Sequence, residues 1–301
     1  MKYPTLTLAA LVAVITAIAA IVLYIGLDGI TASHEELDDS IIVIAETDGL
    51  ASIVSQIACP DSVRIIVLAS GGDPHFQELT PSLAAAVRRA ALVVVVPDSP
   101  AGAAAARIAE DSGALLVKVS ELDLEWIYID GVKVYHGPWY HPGNASLIAE
   151  TVASALYSLD PDCREEVNFR LREFKNKMEN LEDEYSGILY EYIMIGDLPY
   201  LYYLAEWLDP DDIVILKPVH EGEVSPGSLE EALEALYSGR AIVFVSTDGD
   251  YNVLSRAGEW LAAKAQEAGV PMVQVPAPWI PGDLADRLER VAESAARASR
   301  G

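Results

Sequence analysis

Short apolar runs rich in β-branched residues alternate with helical patterns along most of this 301-residue chain. Most of these runs lack a polar residue at every second position, so both faces of each strand are expected to be buried. Strands buried on both faces occur in parallel sheets that are covered by helices. The predicted strands are residues 41–45, 63–69, 92–96, 114–119, 189–194, 213–216, 241–245 and 272–275. The sequence therefore predicts an α/β fold with mainly parallel sheets.

The order of these elements predicts two lobes. A βαβα series fills the first half, and Asp130-Gly131 marks a hairpin within it. A long charged helix with apolar residues at three- and four-residue spacing then runs to about Tyr185, and a second α/β series follows it. We expect an anchor and tether at 1–40, an N-terminal lobe at 41–160, a linking helix at 161–186 and a C-terminal lobe at 187–301. A cleft between two lobes is the default ligand site.

The first residues predict a membrane anchor. Residues 6–27 carry no charge, and about 20 apolar residues suffice to cross a bilayer. Lys2 precedes this run and acidic residues follow it, which puts the remainder of the chain outside the cytoplasm. A cleaved signal peptide is the alternative, because Thr31-Ala32-Ser33 offers small residues for a protease.

Charge and cysteine content restrict the partners further. A formal net charge of -26 argues against nucleic acid and anionic lipid surfaces, which would repel the chain. Outside the cell Cys59 and Cys163 are able to form a disulfide, and two buried thiols are the alternative.

The loop after the second predicted strand holds the first candidate site residue. Gly71 and Gly72 allow backbone conformations that other residues disfavour, and Pro74 restricts the backbone of the preceding residue to an extended conformation. His75 thus lies at the carboxyl end of a strand, where open α/β sheets place their ligands. The alternative is a histidine that caps the following helix or packs beneath the loop.

Several segments, in their order and spacing, resemble the extracytoplasmic solute-binding proteins of ABC importers for zinc and manganese, the ZnuA- and TroA-like proteins. The likeness spans nearly the whole chain after the tether. It is carried by Gly72-Asp73-Pro74-His75 with Thr80-Pro81-Ser82, Trp139-Tyr140-His141-Pro142-Gly143-Asn144-Ala145, Leu159-Asp160-Pro161 and Glu223-Val224-Ser225-Pro226.

The resemblance implies a set of metal ligands. His75 matches the family's first histidine, whereas Gly137 occupies the second histidine position and His136 lies one residue away. His141 stands where the family has a supporting aspartate. The region of the third histidine has none, and Asp197 is the nearby side chain able to bind a metal. The fourth ligand, an acid, is expected from Asp248 or Asp250, for which a polar turn is the alternative role.

By this resemblance the chain is a metal receptor and not an enzyme. It implies capture of zinc, manganese or iron(II) between the lobes and delivery to an ABC permease in the membrane, by a monomer. Two carboxylates and two histidines would favour manganese or iron over zinc. The alternative is the same fold with a degenerate metal site that takes another small ligand or only protein partners. A hydrolytic enzyme is a weaker alternative, because no nucleophile elbow, phosphate loop or His-Glu-x-x-His pair is present. His34 and His220 are expected to have no specific role.

Overall fold

Two parallel sheets form the framework in a computed structural model that describes residues 40–217 and 224–300. The first sheet has the order β2-β1-β3-β4 and the second has the order β10-β9-β7-β8, while β5 and β6 form a separate antiparallel hairpin. The strands are β1 (Ile41–Thr47), β2 (Val63–Ala69), β3 (Leu92–Val95), β4 (Leu115–Lys118), β5 (Tyr128–Ile129), β6 (Val132–Lys133), β7 (Ile193–Gly196), β8 (Asp212–Ile215), β9 (Ala241–Thr247) and β10 (Met272–Pro276). This confirms the α/β class and the two parallel sheets.

Helices alternate with these strands, as the sequence predicts. They are α1 (Asp48–Ile57), α2 (Pro81–Arg89), α3 (Pro100–Ser112), α4 (Pro142–Leu159), α5 (Arg164–Tyr185), α6 (Tyr202–Leu208), α7 (Pro226–Leu236), α8 (Arg256–Ala268) and α9 (Leu284–Ala298). Several begin with a proline in the first turn behind a hydroxyl cap: Thr80 accepts a hydrogen bond from the Leu83 amide, and Ser99 accepts one from the Gly102 amide.

One hydrophobic core joins the two sheets. It contains Val43 and Val94 from the first sheet, Phe244 and Val273 from the second, and Met178 from the long helix α5. The outer face of each sheet packs on separate smaller clusters with its own helices. From Ile41 onward the chain is one compact unit. The lobe boundaries at residues 160 and 187 stay a prediction.

Strand β7 differs from its predicted bounds. The sequence predicts a strand at 189–194, whereas Leu189 lies in a turn and β7 begins at Ile193. The strand begins only where partners exist, since Ile193 pairs with Ala241 of β9 and Asp212 of β8. The apolar sequence therefore indicated that a strand lies in this segment, but not the residue at which its pairing with β8 and β9 begins.

The two cysteines form a disulfide between Cys59 and Cys163. It joins the start of the segment after α1 to the turn that precedes α5. Of the two alternatives left open by the sequence, the paired form is the one present.

The predicted anchor at residues 6–27 and the tether lie outside the described residues. Within 40–217 and 224–300, no helix is long and apolar enough to cross a membrane. Residues 218–223, which include His220, also lie outside them.

Candidate metal centre

The loop after β2 presents His75 on a short 3-10 helix, Pro74–Phe76. Asp73 caps this turn: its carboxylate accepts hydrogen bonds from the His75 amide at 3.0 Å and from Nδ1 of the ring at 3.1 Å. Burial would raise the pKa of Asp73, but the hydrogen bonds from His75 outweigh it and lower the pKa. An ionised carboxylate only accepts, so Nδ1 carries the proton and Nε2 is the ring atom with a lone pair able to bind a metal.

His136 reaches the same place from the segment after the hairpin. Gly137, which aligns with the family's histidine, has φ 65°, and a Cβ there would lie 2.6 Å from Cγ of Pro278. A side chain is therefore not accommodated at 137, and His136 is the residue that meets His75, with 4.3 Å between ring centroids. Burial, followed by the charge of His75, lowers the pKa of His136 to about 4. The ring is neutral near pH 7 and able to donate a lone pair.

Asp98 completes a cluster that the sequence analysis missed. It follows β3, and its Oδ2 lies 3.9 Å from Nε2 of His75 and 3.7 Å from Nε2 of His136. One ligand atom from each of the three residues lies within 4.8 Å of the others. Burial raises the pKa of Asp98 to about 6, against the opposing effect of His75. Its position directly after a predicted strand is the signal that could have pointed to it, because open α/β sheets place their ligands at the carboxyl ends of strands.

The remaining predicted ligands lie outside this cluster. His141 caps α4: its Nδ1 accepts a hydrogen bond from the Gly143 amide at 3.1 Å, and its Nε2 lies 3.3 Å from Glu125. Asp248 caps a turn, accepting hydrogen bonds from the amides of Asp250 and Asn252. Asp250 is exposed and Asp248 is half-buried, and the polar turn named as their alternative role is present.

Asp197 is engaged elsewhere as well. Asp197 directly follows β7 and is fully buried. Its carboxylate accepts hydrogen bonds from the amide and hydroxyl of Ser246, at 2.9 and 2.6 Å, and from the hydroxyl of Ser255 at 2.8 Å. Burial raises the pKa of this carboxyl. These contacts tie β7 to the start of α8.

The second sheet contributes an apolar wall beside the cluster. Pro278 and Trp279, which follow β10, line a cavity of about 10 Å³ together with Asp98 and His136. The wall is hydrogen-bonded to the first sheet's loops, because the Pro278 carbonyl accepts from the Gly49 amide and the Trp279 carbonyl accepts from the Gly71 amide, both at 3.1 Å. Arg287 anchors the same segment through the carbonyls of Ala277 and Ile280.

Two unpaired polar atoms also belong to this cavity's lining residues. Thr47 Oγ1 and Trp139 Nε1 are buried and have no hydrogen-bond partner within the ranges that the structure describes. A volume of this size suits about one water-sized ligand. The donor set is therefore two imidazoles and one carboxylate, with room for a small fourth ligand.

Similar folds occur among solved structures of metal-binding proteins. A crystal structure of ZnuA gives a TM-score of 0.67 at 22% identity, covering 87% of this chain and 99% of that chain. The periplasmic zinc binding protein TroA from Treponema pallidum gives 0.70 at 16% identity, covering 86% and 99%. FpvC from Pseudomonas aeruginosa, solved in complex with Mn²⁺, gives 0.67 at 17% identity, covering 87% and 98%. These identities show a shared fold alone. A comparison with curated protein sequences gives no match.

The family relationship rests on the sequence match. The ZnuA family, described as zinc-uptake complex component A, periplasmic, matches residues 43–277. That range covers both sheets, from β1 to the end of β10. The resemblance seen in the motifs is thereby confirmed, and the chain belongs to the ZnuA family of periplasmic zinc-uptake components.

Proposed function

We propose that this chain is the extracytoplasmic receptor of an ABC importer for a divalent transition metal, and that His75, Asp98 and His136 bind the ion. The observation that carries the proposal is the convergence of three ligand atoms within 4.8 Å. Imidazole nitrogen and carboxylate oxygen are ligands that zinc, manganese and iron(II) share. The receptor binds its cargo and performs no chemistry on it.

The ion would lie between the first sheet's loops and the Pro278–Trp279 wall. The side chains of His75 and His136 are each 26% exposed and that of Asp98 is 17% exposed, so an ion has access to a largely shielded site. The cavity of about 10 Å³ offers the fourth position of a tetrahedral zinc ion to one small ligand. A net charge of -26 favours the approach of cations.

The alternative ligand class fits this geometry less well. Pockets for organic molecules typically measure about 300–1,000 Å³, whereas the cavity beside the cluster measures about 10 Å³. That difference favours an ion over an organic ligand. Zinc and manganese are the cargoes to test first, because the family description names zinc and the donor set contains a carboxylate.

Titration calorimetry on the full-length protein tests the proposal, with Zn²⁺, Mn²⁺ and Fe²⁺ in separate runs. We expect one ion per chain and a loss of at least about 100-fold in affinity in His75→Ala and in His136→Ala, since each removes a ligand. His34→Ala is the matched histidine control and should bind as the unaltered protein does. Absence of binding by all three ions would refute the metal-receptor function.

Delivery to a permease is tested separately. Loaded and metal-free protein would be added to proteoliposomes that contain a candidate ABC importer from the same cell, and ATP hydrolysis would be recorded. Stimulation by the loaded form supports the receptor role. Equal rates with loaded protein, metal-free protein and no protein would contradict it.

A further inference from the structure

Two buried carboxyl groups at the end of β1 lie behind the metal cluster. In the first sheet β1 lies between β2 and β3, whose following loops carry His75 and Asp98. Glu46 and Asp48 are buried at this end of the strand. Neither belongs to the group of converging ligand atoms. Asp48 contacts the loop after β2, and Glu46 contacts the loop after β3.

Asp48 holds the loop on the β2 side. Its carboxylate accepts hydrogen bonds from the Ser70 hydroxyl at 3.1 Å and from the Gly71 amide at 2.9 Å. Gly71 adopts φ 69°, and its amide also donates to the carbonyl of Trp279. Asp48 therefore fixes the turn that leads from β2 to Asp73 and His75.

Glu46 holds the loop on the β3 side. Its carboxylate accepts hydrogen bonds from the Val96 amide and from the Ser99 hydroxyl, so it contacts the chain on each side of Asp98. Ser99 in turn caps α3 through the Gly102 amide. Asp98 therefore lies between the end of β3 and the start of α3, and Glu46 is hydrogen-bonded to both.

Gly102 leaves room for the Glu46 carboxylate. A Cβ at this position would lie 2.6 Å from Oε1 of Glu46, which is closer than any ordinary contact. Burial is also costly for an acid: it raises the pKa of Glu46 to about 8, an effect that the Ser99 hydrogen bond opposes. An apolar residue would avoid this cost, so stability alone does not account for the acid.

We propose that Glu46 and Asp48 are positioning residues of the metal centre, with Asp48 holding the loop of His75 and Glu46 holding the loop of Asp98. The inference rests on the proposed function, because it assumes that these loops carry metal ligands. We therefore expect each carboxyl to raise metal affinity by hydrogen bonds that hold the loop of one ligand. Neither the charge of the carboxyl nor a contact between it and the ion is expected to contribute.

Paired variants separate hydrogen bonding from charge. Loss of a residue that orients a metal ligand typically weakens binding about 10- to 100-fold, which we expect for Zn²⁺ in Glu46→Ala and Asp48→Ala. Glu46→Gln should retain most of the affinity, because its amide oxygen still accepts from Val96 and its amide nitrogen can donate to Ser99. If Glu46→Gln binds as weakly as Glu46→Ala, Glu46 acts by charge or ligation and the positioning role is wrong.

A double-mutant cycle identifies the ligand through which each carboxyl acts. We expect Glu46→Ala to lose its effect on Zn²⁺ affinity in an Asp98→Ala background, while Asp48→Ala keeps its effect there. The d–d absorption of bound Co²⁺ gives an independent signature, and Glu46→Ala should shift it toward the spectrum of Asp98→Ala. Equal effects of Glu46→Ala with and without Asp98 would overturn the assignment.

Hydrogen exchange of the metal-free protein keeps this inference separable from the proposed function. Asp48→Ala should raise exchange in residues 70–76, and Glu46→Ala should raise it in residues 96–99. If the unaltered protein binds no metal yet shows this pattern, the receptor function fails while the anchoring of the loops stands. Unchanged exchange in both loops would overturn the anchoring itself.

Discussion

The imidazole of His136 meets that of His75 edge to face, at 4.3 Å between centroids and 67° between planes. His75 comes from the loop after β2 and His136 from the segment after the β5–β6 hairpin, and both rings turn an Nε2 atom toward Asp98. All three converging side chains thus belong to the N-terminal half of the chain. Among the described residues, the second half faces them with Pro278 and Trp279 and adds no atom to the group of converging ligand atoms.

The first prediction compares the half-buried acid Asp98 with the fully buried acid Asp197. Asp98→Asn should weaken Zn²⁺ and Mn²⁺ binding by at least tenfold, because it replaces an anionic ligand with a weakly coordinating amide. Asp197→Asn should lower thermal stability and leave affinity within about threefold, because its carboxylate is engaged by Ser246 and Ser255. Calorimetry and thermal unfolding measure both. A large loss of affinity in Asp197→Asn would restore it as a ligand.

The second prediction concerns pH. The pKa of Asp98 is raised to about 6 and that of His136 is lowered to about 4. Of these two residues, Asp98 takes up a proton at the higher pH, and its protonation should lower Zn²⁺ affinity by about tenfold per pH unit below pH 6. His136 stays neutral until about pH 4 and adds no step in this range.

Titrations at pH 5.0, 6.0, 7.0 and 8.0 test this dependence. Asp98→Asn should lack the step near pH 6, which ties the step to that carboxyl. Zn²⁺ affinity that does not change between pH 5 and pH 7 would contradict the prediction.

The third prediction concerns the glycine after His136. Gly137→Ala should destabilise the fold by about 1–3 kcal/mol, because φ is 65° and the new Cβ would meet Pro278. It should also weaken metal binding, since His136 must move with the backbone. Gly113→Ala is the matched control: φ is 78°, and nothing lies within 4 Å of the new Cβ. It should carry the backbone cost alone, with unchanged affinity.

The fourth prediction concerns the disulfide. Cys59 and Cys163 are 104 residues apart, and loops of about this length give about 2–5 kcal/mol of stability when closed. The double variant Cys59→Ser/Cys163→Ser should have a free energy of unfolding that is lower by this amount, measured by denaturant titration. Metal affinity should not change, because Cys59 follows α1 and lies away from the strand ends that carry the cluster. A joint loss of stability and affinity would show that the bridge shapes the site.

Much of the architecture could be predicted from local pattern. Runs of β-branched residues predicted the strands, because such runs are typical of strands that are buried in a sheet. Thr80-Pro81 predicted a helix start, which the structure confirms. The Asp130-Gly131 turn is present with positive φ at both residues, 52° and 79°. His75 was identified for the same reason, since the end of a buried strand is visible in one stretch of chain.

The grouping of ligand atoms was decided by the tertiary structure. The sequence determined the element order, the ZnuA-like motifs and the loop that presents His75, because these depend on residues close together in the chain. It could not select His136 over His141, or Asp98 over Asp197, because these choices depend on which strand ends are neighbours in the sheet. The order β2-β1-β3 brings the loops of His75 and Asp98 together. Position 137 lies too close to Pro278 for a side chain, and His136 is the histidine that meets His75.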